Sequence, residues 1–181
     1  MVAARAVRVD LDVSDGARFV RSSLDQLPPG DPAEPFAPGA ALLGLNEGLH
    51  GPFPSALVAV ERLVPELNRY PNRGSHELVA ALAARHGVDP AQVLVAAGAD
   101  AVIGYVCQAV LDQGDEVVVP WPSFPSFVRA SQKRDAAPVT VPLTTDGEVD
   151  LAAMRIAIGS RTRVVFLATP NNPTGRAIPS D

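Results

Sequence analysis

Three short stretches carry side chains able to hold a small molecule, and each follows an apolar run. Residues 97–100 read Ala-Gly-Ala-Asp, residues 121–127 read Trp-Pro-Ser-Phe-Pro-Ser-Phe, and residues 169–175 read Thr-Pro-Asn-Asn-Pro-Thr-Gly. Small residues leading into a helix let an anion approach the free N–H groups of its first turn, where the helix dipole favours negative charge. Trp121, Phe124 and Phe127 offer flat faces on which a planar ring can stack. Pro173 restricts Asn172 to an extended conformation and Gly175 can take a positive φ, so the third stretch holds an amide at a strand end. An amide donates to a phenolate-like oxygen and accepts elsewhere. Each stretch also fits a plainer role: tight helix–strand packing around Gly98, a plug for the top of the core, and an ordinary Asn-Pro turn.

The elements that must position these stretches alternate between helix and strand. "VLVA" (93–96), "EVVVP" (116–120), "APVTVP" (137–142) and "RVVFLA" (163–168) read as short strands. Between them "AGADAVIGYVCQAVLDQG", apolar on nearly every face, reads as a buried helix, and "SFVRASQKRD" and "LAAMRIAI" as two more. Asp100 is a candidate N-cap of the first of these helices. Upstream, Ser55 is placed to cap a helix through "ALVAVERL" that Pro65 ends or kinks, and Ser75 to cap "HELVAALAARHG", with Gly87 as its stop. Short strands separated by helices predict an α/β fold, a mostly parallel sheet with helices on both faces. In such sheets ligands gather at the carboxyl ends of the strands, where all three stretches fall.

Composition narrows the partners. The 181 residues are 47% hydrophobic and 19% charged, with a formal net charge of −5 and no basic run, which sets nucleic acid aside. The single cysteine, Cys107, sits in an apolar context and reads as a small buried hydrophobe. No disulfide framework exists, and Arg5, Arg8, Asp10 and Asp12 break any apolar run at the N-terminus, so neither signal peptide nor membrane span is expected and the cytoplasm is the default location. No metal site is assigned. Residues 26–39, dense in Pro, Gly and Asp, read as an extended arm or linker.

"RVVFLATPNNPTG", "VLVAAGAD", "GDEVVVPWPSFPSF" and "LNRYPN", in their positions in this chain, resemble the pyridoxal-phosphate aminotransferases of fold type I, class I/II, and most of all the histidinol-phosphate aminotransferase branch. The resemblance runs from about Leu24 to the end. It implies that residues 1–50 are an N-terminal arm and small-domain segment, and that 51–181 are the first part of the cofactor-binding large domain. The cofactor implied is pyridoxal 5'-phosphate. Gly98, Ala99 and Asp100 would hold its phosphate through backbone N–H groups, Phe124 would stack on its ring, and Asn172 would meet the ring hydroxyl oxygen. Tyr70 would reach the phosphate of a neighbouring subunit, which implies a homodimer. Asn46 and His50 fall in the segment that shapes the family's substrate pocket, His50 replacing a tyrosine. Ala101 stands where an acidic or hydroxyl residue often follows the Asp of the phosphate segment.

The implied reaction is transamination between an amino acid or histidinol-phosphate donor and a 2-oxo acid acceptor. That chemistry needs a lysine to form a Schiff base and move a proton. The one lysine, Lys133, lies in "ASQKRD" on a polar helix face, where a solvated role is the plain one. The family's Schiff-base lysine, pyridine-pairing aspartate and carboxylate-binding arginine all follow the Asn-Asn-Pro-Thr-Gly signature. Here the chain ends at Pro179-Ser180-Asp181, where Ser180 or Asp181 would cap a new helix, so a fragment that is inactive by itself is expected. A decarboxylase or lyase of the same fold shares these motifs. A noncatalytic remnant, or an effector-binding domain of a transcription regulator, is the alternative from another class.

Overall fold

The structure is a computed structural model that describes Gly44 and residues 46–179. The expected arm, the linker at 26–39 and the caps at Ser180 and Asp181 lie outside the described residues. Contacts divide the described residues into two compact units, one up to Ala97 and one from Gly98 onward.

The first unit is helical. Helix α1 spans Pro54–Leu63 and α2 spans His76–His86. Proline at the first position of α1 needs no amide hydrogen and arrives with helical φ, so Phe53 takes the N-cap place expected of Ser55. A 3-10 turn, Val64–Glu66, follows where Pro65 forbids continuation. Ser75 does occupy the N-cap of α2, but at φ 44° and without a side-chain bond to the helix. Gly87 closes α2 in the left-handed region, its N–H donating to the Ala83 carbonyl as a glycine stop requires. Residues 93–96 form no strand: Val93 is extended, but the segment has no place in the described sheet. Extended backbone becomes a strand only when a ladder partner takes its N–H and C=O groups.

The second unit is a three-stranded parallel sheet with helices on both faces. In chain order it contains α3 (Gly98–Val110), β1 (Glu116–Trp121), α4 (Ser126–Gln132), β2 (Ala137–Pro142), α5 (Leu151–Ala157) and β3 (Thr162–Val165). The strand order is β2-β1-β3, with Val118 opposite Val139 on one side and Val165 on the other. Because β1 is central and its neighbours take both edges, its side chains bury on both faces, and Val117, Val118 and Val119 are each 0% exposed.

The period of two divides those valines between two cores. Val117 and Val119 pack with Ile103, Cys107 and Leu111 near α3, Phe127 of α4 and Ala136. Val118 packs on the opposite side with Val141 of β2 and Met154 of α5. The crossover through α4 runs outward from β1, and the one through α5 runs back past it. With right-handed connections this reversal puts the two helices on opposite faces. Asp150 caps α5, its carboxylate accepting from the Ala153 N–H at 2.8 Å.

Helix α3 is not buried all round, as its composition suggested. Ile103, Cys107 and Leu111 recur every four residues and form one buried stripe, while Tyr105, Val106 and Val110 are exposed. Cys107 behaves as the small hydrophobe expected, fully buried and unpaired by any disulfide. Burial pushes its thiol pKa up, against a smaller downward pull from the Arg134 charge. A raised folded pKa contributes stability that is fully present below the unfolded value and is lost as pH climbs past about 9. Urea midpoints measured between about pH 8 and about pH 10 are therefore expected to fall more steeply for the native chain than for Cys107→Ala. Parallel slopes would refute this.

Candidate functional site

The exits of β1 and β3 lie at the same end of the parallel sheet and carry the second and third of the chemistry-bearing stretches. After β1 the chain makes the loop Pro122-Ser123-Phe124-Pro125 before α4 begins. Phe124 is half-buried and meets Phe127 edge-on, with ring centroids 5.8 Å apart and planes at 85°. Phe127 in turn stacks on Phe166, just beyond β3, at 4.6 Å and 6°. The aromatic cluster thus splits by role: Phe127 is core, Phe124 sits at its rim with part of its ring surface open, and Trp121 is 40% exposed.

Beyond β3, the segment from Thr169 to Ile178 folds back on itself. The Asn171 N–H donates to the Arg176 carbonyl at 2.8 Å, and the Gly175 N–H donates to the Asn171 carbonyl at 2.7 Å. Gly175 has φ 70°, the positive value expected of it. The Ile178 N–H donates to the Thr169 hydroxyl at 2.9 Å and closes the base.

The two neighbouring asparagines fare oppositely. Asn171 is 1% exposed, and every polar group it owns is used. Its Oδ1 accepts from the Ser123 hydroxyl at 2.7 Å, and its Nδ2 donates to the Pro122 carbonyl and to Thr174 Oγ1, each at 3.2 Å. A carbonyl only accepts, so Pro122 fixes which end of the amide faces it. Asn172 is exposed, and its amide makes no hydrogen bond to the described residues. Sequence reasoning chose Asn172 and passed over Asn171 and Ser123. The available signal was the doubled asparagine itself, since two neighbouring amides entering one turn cannot both occupy the same place.

Gly98 opens α3 at φ 81°, so Asp100 lies inside the first turn and is not the N-cap. The reason is conformational: glycine takes the left-handed entry, and the helix starts three residues earlier than a cap at Asp100 would allow. The first N–H groups of α3, those of Gly98, Ala99 and Asp100 included, have no acceptor within the helix. Helix α3 packs on the same face of the sheet as Phe124 and Phe127.

The remaining candidates lie elsewhere. Asn46, at φ 55°, His50 and Tyr70 are exposed residues of the first unit, Tyr70 at 97%. Lys133 stands at the C-cap of α4. With Asp100, Tyr105, Gln108, Arg129 and Arg134 it lines a cavity of about 480 Å³ between α3 and α4, to which Phe124 and Asn172 do not contribute. No helix among the described residues is long and apolar enough to cross a membrane.

Comparison with known proteins gives one consistent result. The family model for aminotransferase class I and II matches residues 40–181. Over 142 residues the chain is 43% identical to an aromatic amino acid aminotransferase of Cutibacterium acnes, covering 78% of this chain and 40% of that one. It is 39% identical to a histidinol-phosphate aminotransferase of Paramagnetospirillum magneticum, covering 76% of this chain and 38% of that one. Among solved structures it is similar to histidinol-phosphate aminotransferase from Sinorhizobium meliloti in complex with pyridoxal-5'-phosphate. There the TM-score is 0.67 at 31% identity, over 72% of this chain and 35% of that one. The chain therefore spans less than half the length of the curated relatives it matches.

The backbone at the start of α3 makes a clean test. An added Cβ at Gly98 or at Gly104 would meet nothing within 4 Å, but only Gly98 has a positive φ. Gly98→Ala is expected to destabilise by about 1–2 kcal/mol through strain alone, whereas Gly104→Ala should stabilise by about 0.5–1 kcal/mol. Urea unfolding of the two variants measures both, and equal effects would contradict the assigned backbone.

Proposed function

Because the chain belongs to the class I and II aminotransferases, we propose that it is the cofactor-cradling part of a pyridoxal 5'-phosphate enzyme. That enzyme passes the amino group of an aromatic amino acid or histidinol phosphate to a 2-oxo acid. The observation that carries this reading is the contrast between the asparagines. Asn171 has spent all its hydrogen-bonding capacity inside the protein, while Asn172 beside it presents an uncommitted amide at the sheet end where Phe124 keeps part of its ring open.

The residues fit the cofactor in kind. Pyridoxal phosphate supplies the aldehyde and the electron-withdrawing ring that amino-group transfer requires. On this chain's side, Asn172 donates to the ring hydroxyl oxygen and Phe124 covers one ring face. The N–H groups of Gly98, Ala99 and Asp100 receive the phosphate at the positive end of the α3 dipole. The Asp100 carboxylate turns away from that phosphate, in keeping with its place on the wall of the α3/α4 cavity. Residues from 51 onward are the first part of the cofactor-binding domain, and Asn46 and His50 belong to the substrate side.

Tyr70 acts across a homodimer. A tyrosine that is 97% exposed places its hydroxyl well clear of its own unit, which supports a role on a neighbouring subunit's phosphate. Location in the cytoplasm agrees with a single, buried, unpaired cysteine.

Lys133 is not the covalent anchor in this reading. It shares the α3/α4 cavity with Arg129 and Arg134, and neither Asn172 nor Phe124 reaches that cavity. Borohydride treatment in the presence of pyridoxal phosphate is expected to leave Lys133 unmodified at ligand concentrations that saturate the site, as read by peptide mass spectrometry. Stoichiometric labelling of Lys133 would refute the assignment. Phe124→Leu is expected to weaken pyridoxal phosphate binding about fivefold by loss of stacking while shifting the unfolding midpoint little. Trp121, the single tryptophan, stands at the end of β1 before this loop and gives a fluorescence signal for the titration. An unchanged dissociation constant would remove Phe124 from the site.

A further inference from the structure

We propose that Asn171 and Ser123 are positioning residues that set the ring-hydroxyl contact of the cofactor site without touching the cofactor. The inference rests on the reading of Asn172 and Phe124 given above and assigns the device that aims them.

Two hydrogen bonds cross between the loops, and both end on Asn171. The Ser123 hydroxyl donates to its Oδ1 at 2.7 Å, and its Nδ2 donates to the Pro122 carbonyl at 3.2 Å, across 48 and 49 residues of sequence. Ser123 immediately precedes Phe124, and Asn171 immediately precedes Asn172. Each buried residue is thus the chain neighbour of an outward-facing one, and fixing the first fixes where the second stands. Ser123 is 3% exposed and Asn171 is 1% exposed, so the bond between them is shielded from solvent.

Chemistry explains why an amide occupies this place. Asn171 must accept from a hydroxyl on one side and donate to two oxygens on the other, the second being Thr174 Oγ1 at 3.2 Å within its own turn. An apolar residue of the same volume could fill the space but would leave the Ser123 hydroxyl and the Pro122 carbonyl without partners. A fully satisfied buried network holds one geometry, and here that geometry joins the exits of β1 and β3. Asn171 has no group left for a ligand, so its effect must pass through Asn172 and the Ser123 loop.

The test separates positioning from simple stabilisation. Dissociation constants for pyridoxal 5'-phosphate and for its 3-deoxy analogue, which lacks the ring hydroxyl, are measured on the full chain by Trp121 fluorescence. The native chain is expected to prefer the hydroxyl-bearing compound by about three- to tenfold, the worth of one net hydrogen bond. Asn172→Ala should abolish that preference. Ser123→Ala and Asn171→Leu should each reduce or abolish it too, and Asn171→Leu combined with Asn172→Ala should lose no more than the singles.

If Ser123→Ala and Asn171→Leu weaken both compounds equally and keep the preference, their role is structural only and the proposal is overturned. If Asn171→Leu does not fold, the milder Ser123→Ala decides by the same comparison. A native chain that binds neither compound, or both alike, or an Asn172→Ala chain that keeps the preference, overturns the underlying reading of Asn172. That failure shows in proteins other than the two positioning variants, so the two causes stay distinct.

Discussion

The hydrogen bond from the Ser123 hydroxyl to the Asn171 side chain is the constraint on which the carboxyl end of this sheet depends. Strand exits in a parallel sheet are held at their bases by the ladder and are otherwise free to splay. Here a buried amide bridges the two exits above the last ladder pair, with the Pro122 carbonyl as a second anchor. Beneath it the Phe124, Phe127 and Phe166 rings supply packing, which is strong but tolerant of sliding. The amide supplies direction, because it accepts at one end and donates at the other. The two kinds of interaction together place one open aromatic edge and one uncommitted amide at the same end of the sheet.

The sheet itself makes that end possible. Strand β1 is central, buried on both faces, and its neighbours run parallel to it, so the exits of β1 and β3 must emerge together. The salt bridge between Arg161 and Glu116 and the bond from the Glu116 N–H to the Arg161 carbonyl tie the entries of the same two strands at the opposite end. Because the Arg161 side chain is 70% exposed, the second of these, a backbone bond, contributes more to registration than the ion pair does.

Much of this was legible in the sequence where a single physical signal acted alone. The valine run of β1 announced a strand, and Gly87 and Gly175 marked two of the positions where the chain turns left-handed. The signature around Asn172 was specific enough to identify the family by resemblance. Where two signals competed, the reading failed. Ser55 lost its cap position to the φ preference of Pro54, and Asp100 lost its own to the left-handed entry at Gly98. The apolar run of α3 said nothing about which stripe would be buried, because Val106 and Val110 are as hydrophobic as Ile103 and Leu111. Residues 93–96 had strand composition, but a strand also needs a neighbour, and neighbours are not written locally. The bridge between Ser123 and Asn171 was invisible for the same reason: its partners lie 48 residues apart.

The division of the β1 valines between two cores has a consequence for how the sequence can drift. The α5 side, built around Val118, Val141 and Met154 with Val139, Val149, Ala153 and Ala157, is wholly aliphatic. Volume-conserving exchanges there change packing without touching the rings at the exits of β1 and β3. The α3 and α4 side contains Phe127 and Phe166, the rings beside Phe124, and Val117 and Val119 pack in the same cluster. One strand therefore carries alternating residues with two different neighbourhoods: one side packed among aliphatics, and the other packed against the rings that reach the loop after β1.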